Sequence, residues 1–413
     1  MNATSTPSAR LASADQAPEV APKRTVGNWL GWQIGGWAVF IGFLVGTCAA
    51  LLLIVRGLAQ LDGVGKPTGG LFESIGNVVV LLLVFVMVLA TLLTLADRKW
   101  SALMQDRVGP NRARFPGIDS PLAGTPHIVA DVLKMLFKED FISIGARKSK
   151  VLFNLGPFLA FAPAFCLFAV VPMSPVITLW GKQFALQVAR LDWGILYVFA
   201  LASLGVFGTA LAGWSSDNKL ALLGGLRASA QLISYEVTLG LTLVGTFIVF
   251  GTLRLDDMVV AQGMAQSSLG LGTDNSLVLG WLPAWGILFQ PIGALLFIVA
   301  AMAEIKRAPF DTPEGESEII GYFLEYSGLK SGMFLIAEYV ETVVVAGIVT
   351  SMFLGGWHIP YFEPALFNAF KGAGSEWATL ILATLQVFAF LVKTLIVIWL
   401  MFLARWAFPR SRC

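Results

Sequence analysis

The sequence predicts an all-α polytopic membrane helix bundle, and three observations carry that prediction. Of 413 residues, 56% are hydrophobic and only 13% are charged, against roughly 25% charged in a soluble domain. Eight apolar runs, near residues 36–58, 76–96, 152–173, 193–214, 226–250, 281–303, 329–354 and 377–404, reach the ~20 residues a helix needs to cross ~30 Å of hydrocarbon. None shows the alternation and turn spacing of a transmembrane barrel. Backbone groups in lipid must be satisfied within the segment, so each run is read as a helix.

Taken in order, residues 1–35 are rich in Ala, Ser, Thr and Pro, carry Asp15 and Glu19, and reach no apolar core until about residue 37. They read as a disordered cytoplasmic tail rather than a cleavable signal peptide. Residues 36–75 supply one helix and a loop, and residues 76–413 the main membrane domain. Its long connection 97–150 holds the stretch His127–Asp140, where His127, Asp131, Lys134 and Lys138 recur at helical spacing among apolar residues. This predicts an amphipathic helix on the membrane surface, too short to span. Such a helix either plugs the bundle or walls an entrance for a hydrophobic ligand. Placing the N-terminus inside puts 21 of the 28 Lys and Arg residues on the cytoplasmic side, which the positive-inside rule favours and which agrees with an even number of spans.

Charge inside a span costs about 2.5–3.5 kcal/mol at the helix centre, so ionisable residues there are candidates for function. Glu236, Glu338 and Lys393 qualify. At 1.5 Å per residue each lies roughly 13–18 Å from the cytoplasmic end of its helix, which predicts one polar layer near the midplane, with Glu341 on the face of Glu338. The same pattern is also what structural ion pairs between helices would give. A second concentration of charge, the connection 304–328, holds Glu304, Asp311, Glu314, Glu316, Glu318 and Glu325. Pro309 and Pro313 discourage helix, and an extended chain would set Glu314, Glu316 and Glu318 on one face. Crowding raises carboxylate pKa values toward neutrality, as a proton relay needs. Composition alone fits an ordinary solvated loop equally well. Cys48, Cys166, Cys413, His127 and His358 have no metal-ligand spacing, and no glycine fingerprint opens a helix, so no metal is expected and any redox cofactor would belong to other chains.

The motifs identify a family. Arg98-Lys99, Met104-Gln105, Gly109-Pro110-Asn111, the surface helix Ala130-Asp131 to Phe137-Lys138-Glu139, Gly213-Trp214 with Asn218, Leu226 through Glu236, Ala303-Glu304 through Glu318, and Ala337-Glu338-Tyr339 stand in order over residues 76–412. In this the chain resembles the H-type subunit of NADH:quinone oxidoreductase, respiratory complex I. The resemblance implies a subunit without a redox cofactor of its own, in a bacterial inner membrane. It would wall a quinone chamber and link quinone reduction to proton translocation. FMN and iron–sulfur clusters are expected in partner subunits, beside small membrane subunits and antiporter-like subunits, with no nucleic acid involved. Carried onto this sequence, Glu236, Glu304, Asp311, Glu314, Glu316, Glu318, Glu325, Glu338 and Lys393 are proton-coupling candidates. Asp97, Arg98, Arg107, Asp131, Lys134, Arg227, Arg307 and Phe310 match the quinone chamber or its peripheral interface.

Three departures from the family pattern stand out. The family usually begins at the helix near 76–96, so residues 1–75 look like an addition. It usually has one more helix after Pro409-Arg410; this sequence stops at Cys413, so that helix is expected to be missing, truncated or supplied by another chain. Asp97 stands where glutamate is common. The alternative function is the homologous subunit of a membrane-bound hydrogenase or related dehydrogenase. A stand-alone transporter would be expected to carry internal repeats, and none is evident. A purely structural anchor would leave Glu236, Glu338 and Lys393 unexplained.

Overall fold

The computed structural model describes residues 45–46, 48–50, 52–55, 71–107, 109–110, 112–113, 124–179, 182–263, 284–315, 318–359 and 376–410. The chain divides into units Met1–Thr47 and Cys48–Cys413, and only Val45 and Gly46 of the first are described. The expected tail lies outside the described residues, as does most of the expected span 36–58.

Among the described residues, six helices are long and apolar enough to cross a membrane. In chain order the helices are α1 (Ser74–Met104), α2 (Pro126–Phe137), α3 (Ala146–Val170), α4 (Gly194–Ser215), α5 (Lys219–Phe250), α6 (Leu255–Gln262), α7 (Pro291–Glu304), α8 (Gly328–Phe353) and α9 (Trp377–Ala407). The spans expected near 76–96, 152–173, 193–214, 226–250, 329–354 and 377–404 become α1, α3, α4, α5, α8 and α9. A small antiparallel hairpin, Ile177–Leu179 with Lys182–Phe184, joins α3 to α4.

Three boundaries differ from expectation for local reasons. Helix α5 starts at Lys219 because Asn218, extended at φ −121°, accepts a hydrogen bond from the Leu220 N–H through its side chain, satisfying a backbone donor that would otherwise be orphaned. The run 281–303 is not one continuous helix. A turn at Gly286–Phe289 gives way to α7 at Pro291, with Gln290 between them at φ −136° and ψ 67°. A residue before proline is pushed out of the helical region, and proline fits a first helical position. The surface helix α2 likewise starts on a proline, Pro126, and ends at Phe137 because Lys138 is extended.

Helix α8 is the hub. It packs on α1, α2, α3 and α9 and touches α6 and α7, and 67% of its apolar window is buried within the chain, against 22% for α5. The series α3, α4, α5 and α7 packs pairwise in sequence. Small residues permit the close crossings: a Cβ on Gly208 would lie 2.5 Å from the Ala160 nitrogen, and one on Gly213 3.0 Å from Gly225 Cα. Helices in lipid associate through such backbone approach. On α2, Val129, Val132, Leu133, Leu136 and Phe137 are exposed. The surface helix therefore lies against the bundle, beside α1 and α8, rather than plugging it.

Candidate functional site

The loop between α7 and α8 folds back into the bundle because α5 holds it. Gln231 on α5 donates 2.8 Å hydrogen bonds to the carbonyls of Ala303 and Phe310, and its oxygen accepts from the Thr312 hydroxyl. One side chain thus ties the end of α7 to the proline-rich strand that follows. Gly224, two turns earlier on α5, lets the returning loop come close: a Cβ there would stand 2.8 Å from both Gly321 C and Tyr322 N. Proline positions 309 and 313 keep the intervening chain non-helical, and Lys306 turns it at a φ of 59°.

This fold-back buries charge. Lys306 is 6% exposed, with Glu304 at the end of α7, Glu314 in the loop and Glu338 and Glu341 on α8 around it. Burial alone would lower the ammonium's pKa, but those four carboxylates more than offset it and hold the value above the ordinary lysine range. Glu314 and Glu338 face each other where the loop meets α8. Burial first, then the fields of Glu338 and Asp311, hold Glu314 well above the usual carboxylate range. Tyr322 is fully buried, and its hydroxyl lies 3.1 Å from Glu338 and 3.4 Å from Glu314. The Lys306 ammonium sits 5.4 Å from the centre of its ring.

At the mouth of this nest, Asp311 accepts a 2.7 Å bond from Arg410, which also donates to the carbonyls of Asp311 and Glu314. Burial pushes the Asp311 carboxyl up to about 6 against the opposing pull of Arg410. Toward the membrane, Glu304 lies within electrostatic reach of Glu341 and of Glu236 on α5, and Glu236 accepts a short hydrogen bond from Ser203 on α4. Glu314, Glu338, Glu341 and Glu304 thus surround one buried lysine, and Asp311 and Glu236 extend the series from its two ends.

A second buried cluster adjoins it. Asp97 on α1 is 6% exposed and receives Arg405 at 2.6 Å, the Tyr339 hydroxyl at 3.2 Å and Arg307 at 3.5 Å. The Arg307 guanidinium lies 4.0 Å from the centre of the Tyr339 ring. Burial opposes its charge, but Tyr339, Glu338 and Asp97 raise its pKa overall.

The remaining candidates are distributed as follows. Arg98, Asp131 and Lys134 form a surface network between α1 and α2, with Arg98 to Asp131 at 2.6 Å and Lys134 to Asp131 at 3.6 Å. Arg107 is exposed. Phe310 tilts against Tyr235 with ring centres 5.8 Å apart. Glu318 is exposed and pairs with Arg227 at 2.8 Å, while Glu325 accepts a 2.7 Å bond from Asn218. Glu314 and Glu318 thus do not share one extended face, because the loop turns at Gly315, where Glu318 N–H bonds back to the Gly315 carbonyl. Glu316 lies outside the described residues.

Lys393 departs from the expected polar layer. Its ammonium donates to the carbonyls of Leu354, Gly356 and His358 at 2.7–3.0 Å and stands over the Trp285 ring. Leu354 is sixteen residues beyond Glu338, about 24 Å along α8 at 1.5 Å per residue. Counting depth from helix ends cannot detect this, since α9 continues to Ala407 and Lys393 is drawn to the C-terminal carbonyls of α8, where a cation is favourable.

Sequence reasoning left Gln231, Ser203, Lys306, Tyr322, Tyr339, Arg405 and Arg410 without roles and noted Glu341 only as a neighbour. Two of them carried a signal: Tyr339 follows Glu338 directly, and Lys306 stands two residues from Glu304. Among the described residues no three His, Cys, Asp or Glu side chains are grouped so as to hold a metal ion. Six carboxylates are thus gathered beside fewer cations, Lys306, Arg410 and Arg307.

Known proteins share this sequence over most of its length. A family profile described as NADH dehydrogenase matches residues 77–413. One of two H-type subunits of the NADH-quinone oxidoreductase of Geobacter metallireducens is 42% identical over 294 residues, covering 71% of this chain and 81% of that protein. The H-type subunit of the Bdellovibrio bacteriovorus NADH-quinone oxidoreductase is 37% identical over 368 residues, covering 85% and 91%. NADH-quinone oxidoreductase subunit 8 of Rhodothermus marinus is 39% identical over 324 residues, covering 78% and 84%.

Proposed function

The chain belongs to the NADH dehydrogenase family as an H-type subunit of NADH-quinone oxidoreductase, and from that premise we propose that it couples quinone reduction to proton translocation. The observation that supports this most is the connected series from Asp311 and Glu314 through Glu338, Glu341 and Glu304 to Glu236, whose middle members surround the buried Lys306. Lys306, with Arg410 on Asp311 and Arg307 near Glu338, leaves more carboxylates than cations in the series, so some protons would be retained and shared. A change of charge at the loop would redistribute them toward Glu236 and Ser203. The quinone chamber would be walled from the α1–α2 side by Asp97, Arg98, Asp131 and Lys134, with Arg307, Phe310, Arg227 and Arg107 toward the peripheral subunits. Glu318 and Glu325 act in this reading as anchors of the loop, through Arg227 and Asn218, and Lys393 as a cap on α8.

The multi-pass chain would sit in a bacterial inner membrane with its N-terminus and acidic loop on the cytoplasmic side. Its complex would hold FMN and iron–sulfur clusters in peripheral subunits and carry antiporter-like membrane subunits. The names of its relatives favour NADH as the electron source over the chemistry of a hydrogenase. In inverted membrane vesicles, Glu304→Gln should lower NADH:quinone turnover at least tenfold when normalised to NADH oxidation by a hydrophilic acceptor, which counts assembled complex. Wild-type normalised turnover would count against the carboxylate series.

A further inference from the structure

Glu314 and Glu338 meet where the loop touches the membrane helix α8. Their carboxyl groups lie close enough for one phenol to reach both, and two ionised carboxylates have no donor to offer each other. A single proton held between them would relieve their mutual repulsion. The phenol of Tyr322 lies over the pair, 3.1 Å from Glu338 Oε1 and 3.4 Å from Glu314 Oε1, with a single O–H to give. We propose that Glu314 and Glu338 are a proton-sharing carboxyl pair, and that Tyr322 is the positioning residue whose hydroxyl aligns the pair and sets how tightly the shared proton is held. This rests on the proton-coupling reading above and deepens it by naming the junction between loop and membrane.

The surroundings fit such a pair. Tyr322 is fully buried, and its ring packs edge-on against Phe323 and Phe334 at 5.2 and 5.3 Å, so the hydroxyl has little freedom to leave. The phenol's own pKa is raised well above its ordinary value by burial and by Glu338, Glu314 and Glu341, which keeps it a neutral donor. The charged groups facing the pair are Lys306 and Asp311 from the loop, Glu304 from α7, Glu341 from α8, Arg307 behind Glu338 and, beyond α9, Arg410, which pairs with Asp311 and donates to the Glu314 carbonyl. On α5, Arg227 is engaged by Glu318. Proton movement balances simply: the protonated member gives its proton to the other across their hydrogen bond, and the phenol O–H turns toward whichever carboxylate is left charged. The phenol is never ionised.

The test is Tyr322→Phe in the whole complex, read as the pH profile of NADH:quinone turnover in vesicles. Phenylalanine keeps the ring and removes only the donor. A hydrogen bond to a charged group is worth ~1.5–3 kcal/mol and one pKa unit ~1.36 kcal/mol, so losing it should make the pair hold its proton more tightly and move the profile upward by about one pH unit or more. Glu314→Gln supplies a second variant, in which an amide can still bond Glu338 but has no proton to share. Tyr322→Phe added to it should then give no further shift. A Tyr322→Phe profile that superimposes on wild type, or a full shift persisting in the Glu314→Gln background, would overturn the proposal. If Tyr322→Phe does not assemble, a Glu314→Gln profile identical to wild type overturns it instead. Glu236→Gln run in parallel separates the two levels: intact pumping in that variant defeats the coupling reading itself, whereas lost pumping there with an unmoved Tyr322→Phe profile defeats only the pair.

Discussion

At the scale of single residues, Asp311 offers the clearest pH prediction. Its carboxyl is pushed up to about 6 by burial, with Arg410 and Arg405 pulling the other way. Above about pH 6 it is charged and holds Arg410; below, it is neutral and that hold weakens. Removing Arg410 removes a lowering influence, so Arg410→Gln should move the acid limb of the quinone turnover profile to higher pH. The shift should be less than about one unit, because an ion pair this exposed is worth only ~0.2–1 kcal/mol. Asp311→Asn should abolish that limb. An acid limb unchanged in both variants would assign it to another group. The Asp97 cluster has a different character: one carboxylate serves two guanidinium groups and a phenol.

At the scale of elements, α5 and α8 form the frame, and the acidic loop takes its shape from them. Gly224→Ala should force the loop off α5, since the added carbon would lie 2.8 Å from Gly321 C and Tyr322 N. Overpacking of this kind costs ~1–3 kcal/mol, so the complex should melt lower and turn over more slowly, which thermal denaturation and quinone assays would register together. Lys393→Met tests the cap on α8. Hydrogen bonds to a charged donor are worth ~1.5–3 kcal/mol, so thermal stability should drop, and the protons moved per electron by the surviving complex distinguish a cap from a carrier. The helices themselves were legible because about twenty apolar residues in lipid leave few alternatives. The break at Gln290 was not read, although Pro291 signalled it, because hydropathy averages over single residues. The half-buried Glu236 and the buried Glu338 were legible from their cost within a span. Lys306 and Tyr322 were not, since only the fold-back secured by Gln231 and permitted by Gly224 turns a loop residue into a buried one.

At the scale of the whole molecule, burial is unevenly distributed. Helix α8 is enclosed by its own chain, whereas α5 buries only 22% of its apolar window, with Ile233, Val237, Leu241, Val244 and Ile248 exposed. The carboxylate series runs from the loop beside α9 to Glu236 on α5. It therefore ends on the helix that, of the six described spans, this chain covers least, where lipid or another membrane subunit would meet it. The most direct measurement of the coupling claim is the number of protons moved per NADH oxidised by quinone in vesicles carrying Glu236→Gln. The account predicts that this ratio falls well below the wild-type value. A ratio equal to wild type at wild-type turnover would contradict it.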